Sequence, residues 1–407
     1  MNHPDSPADS AQTAADTLDF ALSDIAGQRG NTAQPREAEF EQAQLEELIE
    51  QLPKVVLHDH LDGGLRPETI IELAAECDYT DSLPATDPQQ LKQWFIDTGN
   101  SGSLPRYLTA FAHTCAVMQT ASAITRVARE AVVDLAADNV VYAELRMAPE
   151  NHLAAGLSLA EVIDAVVLGL AEGEAHAAVS GYDITARMIV CAMRQNDNSL
   201  EVARATAAAY GEKSQGYVVG FDIAGPENGF PPSNHEQAFD YLRRNLVPIT
   251  IHAGEDAGVD SLRDAVAQGT HRLGHGVRVY EDFTASVAGI ECGPTAAFIR
   301  DRALALELCP SSNVQTGVCA HISEHPFPLL DAMGFHCTVN TDNRLIGDTS
   351  MSAEMITLMN EFDYGIADLA ELTVRAIRSA FVDIDTRERL EYGLIGPAWA
   401  QALGIGD

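Results

Sequence analysis

Short runs of apolar and β-branched residues alternate along the chain with longer stretches rich in Ala, Leu and Glu. The runs fall at residues 54–57, 140–147, 184–191, 217–223, 248–251, 272–275, 303–308 and 336–340, which makes eight candidate strands. Between most of them lie segments of helix length and composition, at 158–177, 198–211, 261–267 and 295–302. Strand-helix alternation predicts a parallel α/β sheet, and eight such units predict a closed (β/α)8 barrel of the TIM type. The first connection, about 63–140, is far longer than one barrel helix requires. It contains further helical stretches at 67–76, 88–96 and 103–118, which predict a helical cap over the barrel mouth.

The start of the chain has a different texture. Residues 1–36 are rich in Ala, Asp, Ser and Gln with scattered Gly and Pro, a composition that buries little apolar surface and reads as a mobile tail. From residue 37 to 51, Phe40, Leu45 and Leu48 suggest an amphipathic helix leading into Pro53, so the folded domain is read as 37–407. No internal repeat, Walker-type loop or strand followed by G-x-G-x-x-G occurs, so the usual nucleotide-phosphate cradles are missing.

Charge narrows the partners. Lys+Arg number 25 against 60 Asp+Glu, a formal net charge of −35 over 407 residues. Such a surface repels phosphate polymers and anionic membranes, which speaks against nucleic-acid and membrane roles and for a small or neutral substrate. At 46% hydrophobic and 21% charged residues, the composition is that of a soluble protein able to bury a large core. The seven cysteines are odd in number and form no C-x-x-C pair, so neither a disulfide framework nor a thiolate zinc site is indicated, and a reducing cytoplasm fits. The first residues lack a basic start followed by an apolar run. No stretch approaches the ~18 uninterrupted apolar residues of a membrane span, so neither a signal peptide nor a span is expected.

Four segments at strand ends carry candidate chemistry. His58-Asp59-His60-Leu61-Asp62-Gly63-Gly64 follows the first apolar run. Side chains alternate along a strand, so His58, His60 and Asp62 would share one face while Asp59 points away. Two imidazoles facing the same way make half of a metal site, although solvated histidines show the same spacing. Thr250-Ile251-His252-Ala253-Gly254-Glu255 adds a third imidazole and a carboxylate, which taken alone also reads as a core histidine before a helix-capping glutamate. Gly274-His275-Gly276 and Asn340-Thr341-Asp342-Asn343 complete the set. Barrel enzymes assemble their sites at the C-terminal ends of strands. His58, His60, His252 and Asp342 thus offer nitrogen and oxygen ligands suited to Zn2+, with Glu255 and His275 free for proton transfer. Four protein ligands plus water would be one more than the commonest catalytic zinc site has.

Other polar residues read more plainly. Asp59 and Asp222 are possible hydrogen-bond partners of metal-bound imidazoles, with an ordinary buried hydrogen bond the equal alternative for Asp222. Glu144 and Arg146 share a strand face and suit a structural ion pair as readily as a ligand contact, and no catalytic role is given to them. Cys309 has no partnering base in sequence and reads as a small packed residue. His3 lies in the tail, His113, His152, His176, His235, His321, His325 and His336 lack a matched spacing at a strand end, and His271, one strand-length from His275, reads as solvated or structural.

In this order and spread, the motifs resemble the adenosine deaminase family within the metal-dependent amidohydrolases, from about Pro53 to Leu403. The family's H-x-H-L-[DE]-G is matched by His58 to Gly63, its H-A-G-E by His252 to Glu255, and its G-H-G by Gly274 to Gly276. Ile223-Ala224-Gly225, Cys309-Pro310-Ser311-Ser312-Asn313 and Asn340-Thr341-Asp342 match further strand ends. The resemblance implies that His58, His60, His252 and Asp342 bind one zinc ion per chain and that Glu255 protonates the purine ring. It implies that His275 handles the proton of the attacking water and steadies the developing oxyanion. Asp342 counts with Glu255 and His275 as catalytic, and His60 also faces the substrate. Gly225 would meet the purine through its backbone, and Asp62 would receive a ribose hydroxyl.

The implied activity is zinc-dependent hydrolytic deamination of adenosine, with deoxyadenosine, to inosine and ammonia, the partners being a small purine nucleoside and water. One departure is that many relatives carry a second aspartate where this chain has Asn343. In that position the residue faces the purine imidazole nitrogen, an acceptor, to which the Asn343 amide donates without holding an extra proton. A modified adenine nucleoside is therefore the near alternative substrate. Hydrolysis of an amide or ester is the rival enzyme reading, and a non-catalytic binding protein the more distant one.

Overall fold

The computed structural model describes residues 42–287 and 289–405. The tail expected over 1–36 lies outside the described residues. The expected first helix is present as Gln42–Gln51.

Among the described residues ten strands follow in chain order: β1 Lys54–His60, β2 Val140–Met147, β3 Thr185–Met193, β4 Val218–Ala224, β5 Thr250–Ala253, β6 Arg272–His275, β7 Phe283–Ser286, β8 Gly289–Cys292, β9 Ala305–Leu308 and β10 Cys337–Val339. Two four-stranded sheets, in the orders β1-β2-β3-β4 and β10-β9-β6-β5, are parallel throughout. Single parallel bridges link them at both edges, Asp59 with Asp342 and Phe221 with Ile249. The first is held by His60 N–H on the Asp342 carbonyl (2.6 Å) and Asp342 N–H on the His58 carbonyl (2.9 Å). The mixed α/β architecture with parallel sheets is thus the one that strand-helix alternation predicts.

Each of the eight expected runs forms a strand, displaced by a few residues at most. β1 outlasts its apolar run because the polar His58-Asp59-His60 continues the pairing with β2. The β7-β8 hairpin was not expected; its strands are mostly exposed and lack the apolar run that marks the others. Before β2 the helix Ala121–Ala137 packs on Leu159–Val179, which follows β2 and opens with a Ser158/Glu161 capping box. Gly169 allows this approach, since a β-carbon there would lie 2.4 Å from the Thr125 carbonyl oxygen.

Between β1 and β2 stand the helices Pro67–Glu76 and Pro88–Gly99. The stretch expected as a helix over 103–118 is broken into Leu104–Tyr107, a 3-10 turn Leu108–Ala110 and Phe111–Val117. Among the described residues no helix is long and apolar enough to cross a membrane.

Candidate active site

The chemistry collects where β1, β5, β6 and the segment after β10 end. His60 Nε2 lies 3.2 Å from His252 Nε2 and 3.4 Å from Asp342 Oδ1, and His58 Nε2 lies 3.5 Å from the same Asp342 oxygen. Metal-ligand bonds of about 2.0–2.1 Å around a tetrahedral ion put neighbouring donor atoms about 3.4 Å apart. The quartet therefore has the spacing of one divalent-ion site. Its chemistry agrees, because His58 Nε2 is buried with no hydrogen-bond partner.

Two of the three imidazoles are aimed from behind. His58 Nδ1 hydrogen-bonds Glu307 Oε2 at 2.9 Å, and His252 Nδ1 lies 2.7 Å from Asp222 Oδ2, so the remaining nitrogen of each ring is turned toward the quartet. Asp222 serves as the sequence suggested. Asp59 does not; it faces away and binds Thr341 Oγ1 (2.7 Å) and Arg344 Nε (2.7 Å), tying β1 to the loop that carries Asp342.

Glu307 was not singled out from sequence, yet its isolated carboxylate in the otherwise apolar Ala305–Leu308 was the available signal. It is the hub of a buried charge network. Arg146 binds Asp222 (2.7 Å) and Glu307 (2.8 Å), and Arg272 binds Glu307 (2.6 Å) and Glu144. The same-strand pairing of Glu144 with Arg146 considered from sequence is not made. Carboxylates outnumber guanidinium groups in this network, which suits neighbouring imidazoles and a cation.

Beside the quartet lies a cavity of ≈ 380 Å³ whose wall includes Asp62, Gly225, Glu255, His275 and Asn343. Asp62 reaches it from the 3-10 turn Leu61–Gly63, not from the strand face that alternation suggested, because β1 stops at His60. Burial pushes the Asp62 carboxyl up to about 7, and its Oδ1 has no partner. Glu255 is buried beside His275, Oε2 to Nε2 3.5 Å. Burial first, then the charges of Asp342 and Glu227, holds its carboxyl well above the usual carboxylate range. Desolvation likewise holds His275 well below the ordinary imidazole value.

His275 and Asp342 have left-handed backbones (φ 58° and 57°), which costs a non-glycine residue about 1–3 kcal/mol and is typical of residues fixed by function. Gly274 lets β5 and β6 close on each other, since a β-carbon there would stand 3.0 Å from His252 Cα.

Two further site residues escaped the sequence reading. Glu227, in the loop after β4, accepts hydrogen bonds from the N–H groups of Gly254, Glu255, Asp256 and Ala257 and from Ser261 Oγ, shaping the turn that presents Glu255. Tyr107 brings a buried hydroxyl to the cavity wall, next to Ser312 and Asn343. Cys309 stands near His58, His275 and Asp342, but burial pushes its thiol well up, which disfavours the thiolate a metal needs.

The family model for adenosine deaminase matches residues 53–395. The chain is 52% identical over 360 residues to the adenosine deaminase of Mycobacterium sp. (strain KMS), covering 88% of this chain and 98% of that one. It is 51% identical over 360 residues to the adenosine deaminase of Mycobacterium leprae (strain TN), with the same coverage. Among solved structures, the fold is similar to adenine deaminase from Arthrobacter aurescens, with TM-score 0.73, 23% identity and coverage of 87% and 99% of the two chains. It is also similar to an amidohydrolase from Burkholderia ambifaria with bound Zn, with TM-score 0.75, 22% identity and coverage of 91% and 98%. A match that begins at the first strand and runs into the C-terminal helices, with relatives aligned along nearly their whole length, establishes that the chain belongs to the adenosine deaminase family.

Proposed function

We propose that the protein hydrolyses adenosine, and deoxyadenosine, to the corresponding 6-oxopurine nucleoside and ammonia. The observation that carries this reading is that the buried Glu255, whose carboxyl burial holds well above the usual carboxylate range, lines the same cavity as His60, His252 and Asp342, with His58 buried behind that wall. The quartet would hold one Zn2+ per chain, and that ion, when bound, supplies the Lewis acidity that makes water nucleophilic near neutral pH.

The purine carbon that bears the amino group resists attack until its adjacent ring nitrogen takes up charge. Glu255 lends that nitrogen a proton, which its raised pKa keeps available. Water then bonds through oxygen to the carbon, on the side where His275 and Asp342 stand to hold it. The carbon–amine bond breaks and ammonia leaves. Water's two protons balance the account, one on the departing amine and one replacing that lent by Glu255. Asn343 donates its amide to the purine imidazole nitrogen, Gly225 meets the ring through its backbone, and Asp62, near half-protonated at neutral pH, exchanges hydrogen bonds with a ribose hydroxyl.

The two bridges between the sheets support a closed eight-stranded ring as the scaffold. Leu104, Tyr107 and Phe111 on the cavity wall support a cap formed by the segment between β1 and β2. The cytoplasmic setting read from cysteine usage is part of the same proposal; the seven thiols are free. Incubation of the purified protein with adenosine, following ammonia release and loss of adenosine absorbance together, tests the reading. Absence of both, with zinc supplied, would overturn it.

A further inference from the structure

Behind His275, away from the cavity, runs a chain of buried hydrogen bonds whose direction is set at one end by the backbone. The Phe327 N–H lies 3.1 Å from His325 Nδ1. A backbone N–H only donates, so Nδ1 holds the lone pair, and a neutral imidazole then carries its proton on Nε2. The ring is neutral, since burial brings His325 down to about 3. Its Nε2 is 3.1 Å from Asn313 Oδ1, which must therefore be the accepting end of the amide. The other end, Asn313 Nδ2, is 3.1 Å from His275 Nδ1 and has only protons to offer. Asn313 is wholly buried, His325 is 3% exposed, and both stand behind His275 without reaching the cavity.

We propose that His325 and Asn313 are positioning residues that hold His275 as the Nε2–H tautomer, so that it presents a hydrogen-bond donor, not a base, to the reacting water. The inference rests on the reading of the cavity as the deamination site. It changes the part His275 plays there. Nδ1 is occupied and Nε2 bears a proton, so the neutral ring has no free lone pair to accept one from water. Its N–H can instead fix the water oxygen and stabilise negative charge developing on it. The proton that leaves the water passes to a carboxylate, and Asp342 Oδ2 is 4.0 Å from the same nitrogen. This also gives His325 a role that its isolated position in the sequence does not suggest.

Nitrogen-15 spectra of the zinc-loaded protein, with His275 assigned by difference against His275→Gln, read the tautomer directly. The expected result is a protonated Nε2 and a bare Nδ1. Asn313→Asp keeps the shape but puts an acceptor against Nδ1, so the proton should move there. Turnover of adenosine should then fall about tenfold to a hundredfold, the usual loss when an outer partner of a site imidazole is removed. KM should stay within about twofold, because ground-state binding is untouched. His325→Leu should lower kcat in the same way, and His325→Gln, which retains a donor toward Asn313, should recover most of it. A proton on Nδ1 in the unaltered protein would overturn the proposal, as would an Asn313→Asp variant in which the proton moves and kcat does not fall. Failure of the unaltered protein to deaminate adenosine would sink the proposed function, while the spectra would still decide the tautomer.

Discussion

In the proposed reaction Glu255 and Asn343 make opposite demands on their surroundings, and both can be tested by changes of a single functional group. Glu255 must arrive protonated, which burial and two neighbouring acidic charges favour. Glu255→Gln should keep the metal and lower kcat by about a hundredfold or more, the usual range for general acid catalysis. Metal analysis beside the kinetics separates a proton donor from a ligand, because loss of zinc would reassign Glu255 to the quartet. The same protonation sets the pH response. The acid form is present below the raised pKa and disappears above it, so kcat/KM should fall on the alkaline side, and a flat alkaline limb in the pH profile would contradict the role.

In the proposed pose Asn343 donates its buried amide without holding an extra proton. Replacing the purine imidazole nitrogen with C–H, as in 7-deazaadenosine, should cost about 1 to 3 kcal/mol, or roughly tenfold to a hundredfold in kcat/KM, by stranding the donor. Asn343→Ala should erase most of that difference, which a four-way cycle of both enzymes and both nucleosides measures. Persistent preference for adenosine in the variant would place the imidazole nitrogen elsewhere.

At the scale of elements, the turn after β5 depends on a carboxylate from a different loop. Glu227 Oε2 accepts the N–H groups of Glu255, Asp256 and Ala257, and Oε1 takes Gly254 N–H and Ser261 Oγ–H. Glu227→Gln turns one acceptor into a donor facing other donors, which should cost about 1–3 kcal/mol. The loss should show as a lower melting temperature together with reduced kcat, since the turn that aims Glu255 loosens. A variant as stable and active as the unaltered protein would remove the clamp from the account. From sequence this turn showed only its own His252-Ala253-Gly254-Glu255. The carboxylate that shapes it lies 25 positions upstream of His252, in a loop with no periodicity of its own. The β7-β8 hairpin escaped for a related reason, because its exposed strands need no apolar run.

For the whole molecule, stability should respond both to metal and to pH. Binding to the native state alone stabilises it by RT ln(1 + [L]/Kd). If the quartet holds the metal as proposed, chelation should lower the melting temperature of the unaltered protein and leave that of His252→Ala unchanged. A second response comes from Glu354, buried away from the cavity and bonded to Thr349 Oγ1 at 2.7 Å. Burial raises its carboxyl from 4.5 to about 7. Between those values the folded protein holds a proton that the unfolded chain has released, so stability falls as pH rises through this window, by ~3 kcal/mol in all. Glu354→Gln cannot ionise and should narrow the difference in melting temperature between pH 5 and pH 8. An unchanged difference would mean that other groups set it.

The strand-helix alternation and the four polar motifs at strand ends were legible in the sequence because both are local. A buried strand needs consecutive apolar residues, and an imidazole at its end is visible by its neighbours. That His58, His60, His252 and Asp342 approach within 3.2–3.5 Å across elements nearly 300 residues apart was decided only by the parallel sheets and the bridges that join them. So were the partners that aim them. Asp222 read equally as an ordinary buried hydrogen bond, Glu307 had no motif, and His325 read as a structural or solvated histidine. Such residues are set by hydrogen bonds between distant strands and loops, and a buried polar group acquires its meaning from the partner that satisfies it. The sequence carries the groups, but their protonation, direction and pairing arise when folding removes water from between them.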